Sequence, residues 1–213
     1  MRDEWDEWDE TMKGPVGPAD IRMLASVGYY IALRVGFAFP MEEVNVLPSD
    51  WVEHYTRQRF MLSDPVIRWT YGNTGAIRWS EITIDDPRQV LAQARTFGLH
   101  YGVSVSVFDK NPEGQRSFGS FLRRDREFDD AEIRVLHSYV VRLHHEKAPP
   151  TNLTAAELQA LRMVKDGKRL KQIAHELGVS EGAVKQRLKN AKTKLGAATG
   201  AQAATRASGF GLI

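Results

Sequence analysis

Residues 103–107 read V-S-V-S-V, an alternation of apolar and polar positions that predicts a half-buried strand spanning Gly102 to Asp109. Asn111-Pro112-Glu113-Gly114 is strong turn chemistry, and Gln115 to Arg123 predicts the returning strand. Tyr29 to Phe37 is rich in β-branched and aromatic residues, and Met41 to Leu47 follows closely enough to pair with it. Around these runs the period is helical. Helices are predicted from Asp20 to Val27, from Asp50 to about Phe60 after a capping Ser49, from Asp64-Pro65, and from Asp86-Pro87 to Phe97, where Gly98 ends the run. A long helix from Asp129 or Asp130 to about Glu146 carries Ile133, Leu136, Tyr139, Val140 and Leu143 on one stripe. That stripe suits either the sheet or, through Val140, Val141 and Leu143, a second subunit. The predicted class is α+β, an N-terminal antiparallel sheet sandwiched by helices and followed by a small all-α unit.

That second unit begins at Leu153. Thr154 and Glu157 stand in the S/T-x-x-E spacing of a capping box, Leu158, Leu161 and Val164 repeat at helical spacing, and Gly167 ends the helix. Leu170 to Leu177 forms a second helix with Ile173, Ala174 and Leu177 on one face, before Gly178 breaks it. Ser180 caps a third, in which Val184, Leu188, Ala191 and Leu195 share one side and Lys185, Gln186, Lys189, Asn190 and Lys192 the other. Two packed helices joined by a Gly-containing turn, the second basic on its outer face, predict a helix-turn-helix on DNA. Charge agrees with this. From Thr151 to Ile213 eleven Lys and Arg face four Asp and Glu, the rest of the chain holds eighteen against twenty-three, and the net charge of +2 therefore divides into +7 and −5.

The chain's 213 residues suffice for two modest domains, divided as a mobile acidic tail over 1–18, the sheet-containing domain over 19–147, a linker over 148–152 around Ala148-Pro149-Pro150-Thr151, and the helix-turn-helix domain over 153–213. The tail carries the repeated Trp5 and Trp8. No cysteine is present, which excludes disulfides, thiolate metal sites and a cysteine nucleophile. The acidic start is unlike a secretory signal, and no apolar run reaches membrane-spanning length, so a cytoplasmic protein without membrane contact is expected. Neither a G-x-S-x-G elbow, a Walker loop nor G-x-G-x-x-G appears, and no Ser/His arrangement or carboxylate pair emerges from spacing. His137, His144 and His145 share one helix but not one face, and surface histidines near a helix C-terminus complement its dipole without a metal. No enzymatic activity, cofactor or metal is expected.

Trp51 and Tyr55 lie four apart on one predicted helix, Asp64 opens the next, and Trp79 follows a Gly-rich turn. An indole N–H, a phenol, a carboxylate and an aromatic plate suit a ligand with carbonyls, one amide N–H and a small ring. By spacing alone the same residues suit a core whose polar atoms are satisfied, with Asp64 as a helix cap.

Two resemblances bear on this choice. Leu153-Thr154 with Glu157, Leu161, Gly167-Lys168, Ile173-Ala174, Leu177, Ser180, Val184, Lys194-Leu195-Gly196 and Gly211-Leu212-Ile213 resemble the LuxR-type regulator DNA-binding domain. Trp51, Tyr55, Asp64 and Trp79, with Gly98 and Gly102-Val103-Ser104-Val105, are similar to the autoinducer-binding domain of LuxR-type quorum-sensing regulators. The resemblance implies a dimer on a pseudo-palindromic site in double-stranded DNA, controlled by an N-acyl homoserine lactone. It implies that Trp51 donates to the lactone carbonyl, Asp64 accepts the ligand amide N–H, Tyr55 meets the acyl carbonyl or chain, Trp79 packs on the ring, and Ser120 adds a hydrogen bond. Because the buried Asp64 needs donors, occupancy and folding are expected to be coupled. On the DNA side it implies base reading by Lys185 and Lys189, with Gln186 on the same surface and Arg187 and Lys192 nearer phosphates. The chain departs from the pattern at Leu47, where many members have a ligand-contacting tyrosine, at Ser106 for proline, at Ala183 for threonine and at Gly200 for a basic residue. Leu47 raises the alternative of a lactone-independent regulator, constitutive or acting by heterodimerisation with another regulator.

Overall fold

Five strands, β1 (Gly28–Val35), β2 (Glu42–Asn45), β3 (Gly75–Arg78), β4 (Tyr101–Phe108) and β5 (Arg116–Arg123), form one sheet in the computed structural model, which describes residues 16–36, 39–109 and 114–213. The order is β2-β1-β5-β4-β3, and every pairing is antiparallel. The expected pairing of the Met41–Leu47 run with the preceding strand is present, Ile31 lying opposite Val44. Residues 1–15 of the acidic tail, Phe37 and the turn residues Asn111 to Glu113 lie outside the described residues; the tail's expected end at residue 18 is corrected, because Val16 packs on the core and Pro18 opens a helix.

Strand side chains alternate between faces, so the sheet has two differently composed sides. Tyr29, Ile31, Val103, Val105 and Phe121 point to one, where they pack with Ile133, Leu136, Tyr139 and Val140 of the long helix α5 (Asp130–Glu146) and with Ile21 of α1 (Pro18–Leu24). Each fully buried side chain of this kind stabilises the fold by about 1.5–3 kcal/mol. Val140 is fully buried here, so the stripe serves the sheet. The other face carries α2 (Ser49–Arg57), a 3-10 turn at Phe60–Leu62, α3 (Pro65–Gly72) and α4 (Val90–Thr96), with a second cluster of Trp51, Phe60, Val90, Ala94, Leu99 and Leu122.

Several helix starts differ from the sequence expectation for identifiable reasons. α1 begins at Pro18 rather than Asp20, with the Asp20 carboxylate accepting the Gly17 N–H at 2.8 Å. Ser49 is the first helical residue and not a cap, its hydroxyl turned to Asp50. α4 starts only at Val90, because Gln89 adopts a left-handed φ of 54°; Asp86 still caps it from a distance, accepting from Val90 and Leu91 N–H at 2.8 and 2.9 Å. Asp129 caps α5 in a reciprocal pair with Glu132.

The chain divides into two compact units at Glu146/Lys147. In the second, α6 (Ala155–Lys165) has the expected capping box, with Thr154 N–H donating to Glu157 at 2.8 Å. α7 (Leu170–Leu177) ends on Gly178 at φ 62°, a conformation that suits glycine, and α8 (Glu181–Lys194) starts with Ser180 accepting from Ala183 N–H. A fourth helix, α9 (Gly200–Gly209), was not anticipated. Its buried residues are Ala203, Ala204 and Ala207, small side chains that let it lie close against α6 but give a weak apolar stripe.

Candidate functional site

α2 turns Trp51 and Tyr55 to the same side, with ring centroids 5.5 Å apart in an edge-to-face contact. Trp51 is 4% exposed and also packs on Phe60 and Phe97. Among the described residues its indole N–H makes no hydrogen bond, and the nitrogen is not sealed from its surroundings. Asp64 does two things. One oxygen caps α3 by accepting the Val66 N–H at 2.8 Å, and the other accepts the Tyr55 hydroxyl at 2.8 Å. Burial pushes the Asp64 carboxyl above the ordinary range, and the donors Tyr55, Val66 and Ile67 offset this only in part. The Tyr55 hydroxyl is also pushed up, first by burial and then by the neighbouring carboxylate.

Trp79 follows β3, and its indole N–H donates to Ser104 Oγ at 3.0 Å; Ser104 and Ser120 hydroxyls lie 2.9 Å apart. Ser104, Ser120 and Tyr30 are cross-strand neighbours, so one polar row crosses the sheet face on which α2 and α3 pack. Gly102 leaves room for Trp79, since a Cβ there would come within 2.4 Å of the indole. Sequence reasoning named Trp51, Tyr55, Asp64, Trp79 and Ser120 but not Tyr30, nor Ser104 as the link between Trp79 and Ser120; only strand register reveals these. Apart from the Trp51 indole, the polar groups of this site have partners within the chain. Tyr55 and Val66 donate to Asp64, and Ser104 accepts from Trp79.

Of the departures, Leu47 packs partly buried on the Trp51 cluster, and the Ser106 hydroxyl donates to the Thr70 carbonyl at 2.7 Å, binding β4 to α3.

On α8, Val184, Leu188 and Ala191 are buried against α6, α7 and α9, while Lys185, Gln186, Lys189 and Asn190 are exposed. Gln186 and Asn190 side chains hydrogen-bond to each other at 2.8 Å. Arg187 and Lys192 are half-buried, and Lys192 Nζ lies 3.4 Å from the Ala198 carbonyl. Lys194 faces inward: its ammonium donates to Glu157 at 2.8 and 3.0 Å and to the Asn152 carbonyl at 2.7 Å. Burial raises the Glu157 pKa, but Lys194 and Thr154 outweigh it and hold the carboxyl below its usual value. This ion pair clamps α8 to the start of α6.

Two family matches cover these two units. The autoinducer binding domain matches residues 28–146, and the family of bacterial regulatory proteins termed luxR matches residues 151–207. The chain is a LuxR-type transcriptional regulator. The transcriptional activator protein VanR of Vibrio anguillarum is 30% identical over 175 residues, 75% of this chain and 72% of VanR. The quorum-sensing regulator RhlR of Pseudomonas aeruginosa is 28% identical over 210 residues, 91% of this chain and 86% of RhlR. A crystal structure of Escherichia coli SdiA covers 92% of this chain and 90% of its own at 26% identity, with a TM-score of 0.52.

The relatives of this LuxR-type regulator are regulators and not enzymes. One arrangement in it nevertheless resembles catalytic geometry. Ser117 Oγ lies 2.8 Å from His144 Nδ1, and His144 Nε2 lies 2.9 Å from Asp109 Oδ1. Ser117 is wholly buried, and its oxygen accepts the Arg34 backbone N–H at 2.9 Å, so no substrate reaches it. The cluster is a fastener. At a bulge in β1, Arg34 takes a left-handed φ of 52°, and its guanidinium donates to the His144 carbonyl at 2.6 and 2.8 Å and pairs with Asp109. It thereby satisfies a carbonyl that the end of α5 leaves free. The sequence reading of His144 as a surface residue is corrected: it is 1% exposed. Burial holds its pKa below the usual value, with Asp109 opposing that shift. Among the described residues no group of three or more His, Asp or Glu is placed to hold a metal ion, and no helix is long and apolar enough to cross a membrane.

Proposed function

We propose that this regulator binds an N-acyl homoserine lactone in its N-terminal unit and, as a homodimer, a pseudo-palindromic DNA site through α8, in the cytoplasm where its DNA lies. The observation that carries the lactone reading is the indole N–H of Trp51, which makes no hydrogen bond among the described residues and stays accessible although the residue is 4% exposed, beside Tyr55 and the Asp64 that Tyr55 holds. Trp51 donates to the lactone carbonyl, Asp64 accepts the ligand amide N–H, Trp79 packs on the ring, and Ser120 offers a further hydroxyl. Tyr55 has one hydroxyl proton, now given to Asp64. Ligand entry therefore exchanges that internal bond for two, amide N–H to Asp64 and Tyr55 to the acyl carbonyl. Residues 19–147 form the sensing domain, 148–152 the linker and 153–213 the DNA-binding domain.

Dimeric binding follows from reach. One helix in the major groove covers too few base pairs for useful specificity, and two copies about one helical turn apart require inverted half-sites. Lys185 and Lys189 read bases, with Gln186 beside them, while Arg187 and Lys192 lie nearer phosphates. Mass spectrometry of small molecules extracted from the purified protein, with thermal melts over a panel of acyl lactones, tests the first half; site selection from random DNA tests the second. An unmoved melting curve with every lactone defeats the sensing reading, and recovery of no inverted repeat defeats the dimeric one. The internal bonds of Asp64 and Trp79 favour a second reading, a regulator that folds and binds DNA without lactone, alone or in a heterodimer. The same extraction and melts separate the two.

A further inference from the structure

The exposed face of α8 carries two parallel rows of side chains four residues apart, Lys185 with Lys189 and Gln186 with Asn190. The second row is bonded internally, Gln186 to Asn190 at 2.8 Å. Whichever amide donates in that bond, the donating residue keeps its carbonyl oxygen and one N–H, and the accepting residue keeps its whole NH2 group. Swapping the two amide orientations only exchanges which residue supplies which. The pair thus offers one wholly unused acceptor together with N–H donors, held together before DNA arrives.

In the major groove a single base that presents an acceptor beside a donor is adenine, through N7 and N6, whereas guanine presents two acceptors, N7 and O6. Ammonium groups complement guanine, as Lys185 and Lys189 do. We infer that the Gln186–Asn190 amide pair reads one adenine in each half-site, next to the guanine contacts of the lysine row. This deepens the DNA-binding reading and rests on α8 entering the groove. The adjacent buried side chains Val184, Leu188 and Ala191 fix the helix face, so neither amide is needed for folding.

The test uses the full-length protein and duplexes recovered from random-sequence DNA, with and without added acyl homoserine lactones, comparing wild type with Gln186→Ala, Asn190→Ala and Lys185→Ala. The expected result is an A·T position in each half-site that becomes degenerate in both amide variants. Placing 7-deazaadenine there, which removes the N7 acceptor, lowers wild-type affinity roughly 5- to 100-fold and leaves the amide variants unaffected. If Lys185→Ala relaxes its own position while the amide variants preserve every position, the adenine assignment falls and groove reading by α8 stands. If the amide variants relax a G·C position, the pair straddles guanine O6 and cytosine N4, and the assignment falls. If no variant changes sequence preference, or no site is recovered under any condition, both this inference and the reading beneath it are overturned.

Discussion

Asp64→Asn separates the cost of a buried charge from its use. Burial raises the Asp64 pKa in the folded protein, so the stability linked to this group is full below the ordinary carboxylate value of about 4 and is lost as pH rises through the folded value. An asparagine keeps an oxygen to accept the Val66 N–H and presents its amide N–H to the Tyr55 oxygen, so both internal contacts survive without a charge. The ligand-free variant should therefore melt at or above wild type at pH 7, and the difference should vanish toward pH 4. Ligand binding should suffer in the opposite sense, because a hydrogen bond to a charged acceptor, worth about 1.5–3 kcal/mol, is replaced by two opposed N–H groups. That corresponds to roughly 10- to 150-fold in affinity. At a lactone concentration of about 100 times the wild-type Kd, binding stabilises by about 2.7 kcal/mol, a shift of about 10 °C in a domain of this size. A 100-fold weaker variant keeps only about 0.4 kcal/mol, or about 2 °C. Scanning fluorimetry over a lactone titration at two pH values reads both effects. A full ligand shift in Asp64→Asn, or a ligand-free variant that melts several degrees lower, would refute this reasoning.

Gly102→Ala places a methyl group against the Trp79 indole; it should break the Trp79–Ser104 bond, cost about 1–3 kcal/mol and abolish lactone-induced melting shifts, while DNA binding by the isolated 153–213 fragment, which lacks that site, provides the reference. For His144, whose folded pKa is depressed, stability is full above about pH 6.5 and is lost as pH falls, with Asp109, also held below its usual value, adding in the same direction below about pH 4. Urea unfolding followed at pH 7.5 and 5 should show that loss, and His144→Gln should be about 1–3 kcal/mol weaker at pH 7.5 but flatter with pH; an equally steep profile in the variant would assign the effect elsewhere. Lys194→Ala strands the buried Glu157 and should cost the C-terminal unit about 1–3 kcal/mol, lowering affinity for all DNA sequences alike, whereas Lys194→Arg should largely restore both by circular dichroism melts and titration. Loss confined to one base position would instead make Lys194 a reading residue.

The sequence by itself determined what local chemistry controls. The capping box at Thr154 and Glu157, the Ser180 cap and the left-handed Gly178 set the ends of the helix-turn-helix within a few residues of chain, and they appear where the pattern put them. The V-S-V-S-V alternation showed which β4 residues face each way but not that the strand is buried on both sides instead of half-buried, since Ser104 and Ser106 are covered as fully as Val103 and Val105; the spacing of Trp51 and Tyr55 put both on one helix face. α9 escaped because alanines bury well but mark a face weakly.

Only the tertiary structure decided the partners of buried polar groups, since a hydrogen bond depends on position in space and not on separation along the chain. Tyr55 meets Asp64 across nine residues, Trp79 meets Ser104 across twenty-five, and Ser117, His144, Asp109 and Arg34 converge from three strands' ends and a helix terminus. His144 read as a surface histidine because it stands near a helix C-terminus, yet a bulge in β1 buries it beneath Arg34. Lys194 and Lys192 are alike in sequence context, and packing turns the first toward Glu157 and leaves the second half-exposed beside the Ala198 carbonyl. Charge and period therefore named the surface proposed to meet DNA, and packing chose which of its cations stay exposed.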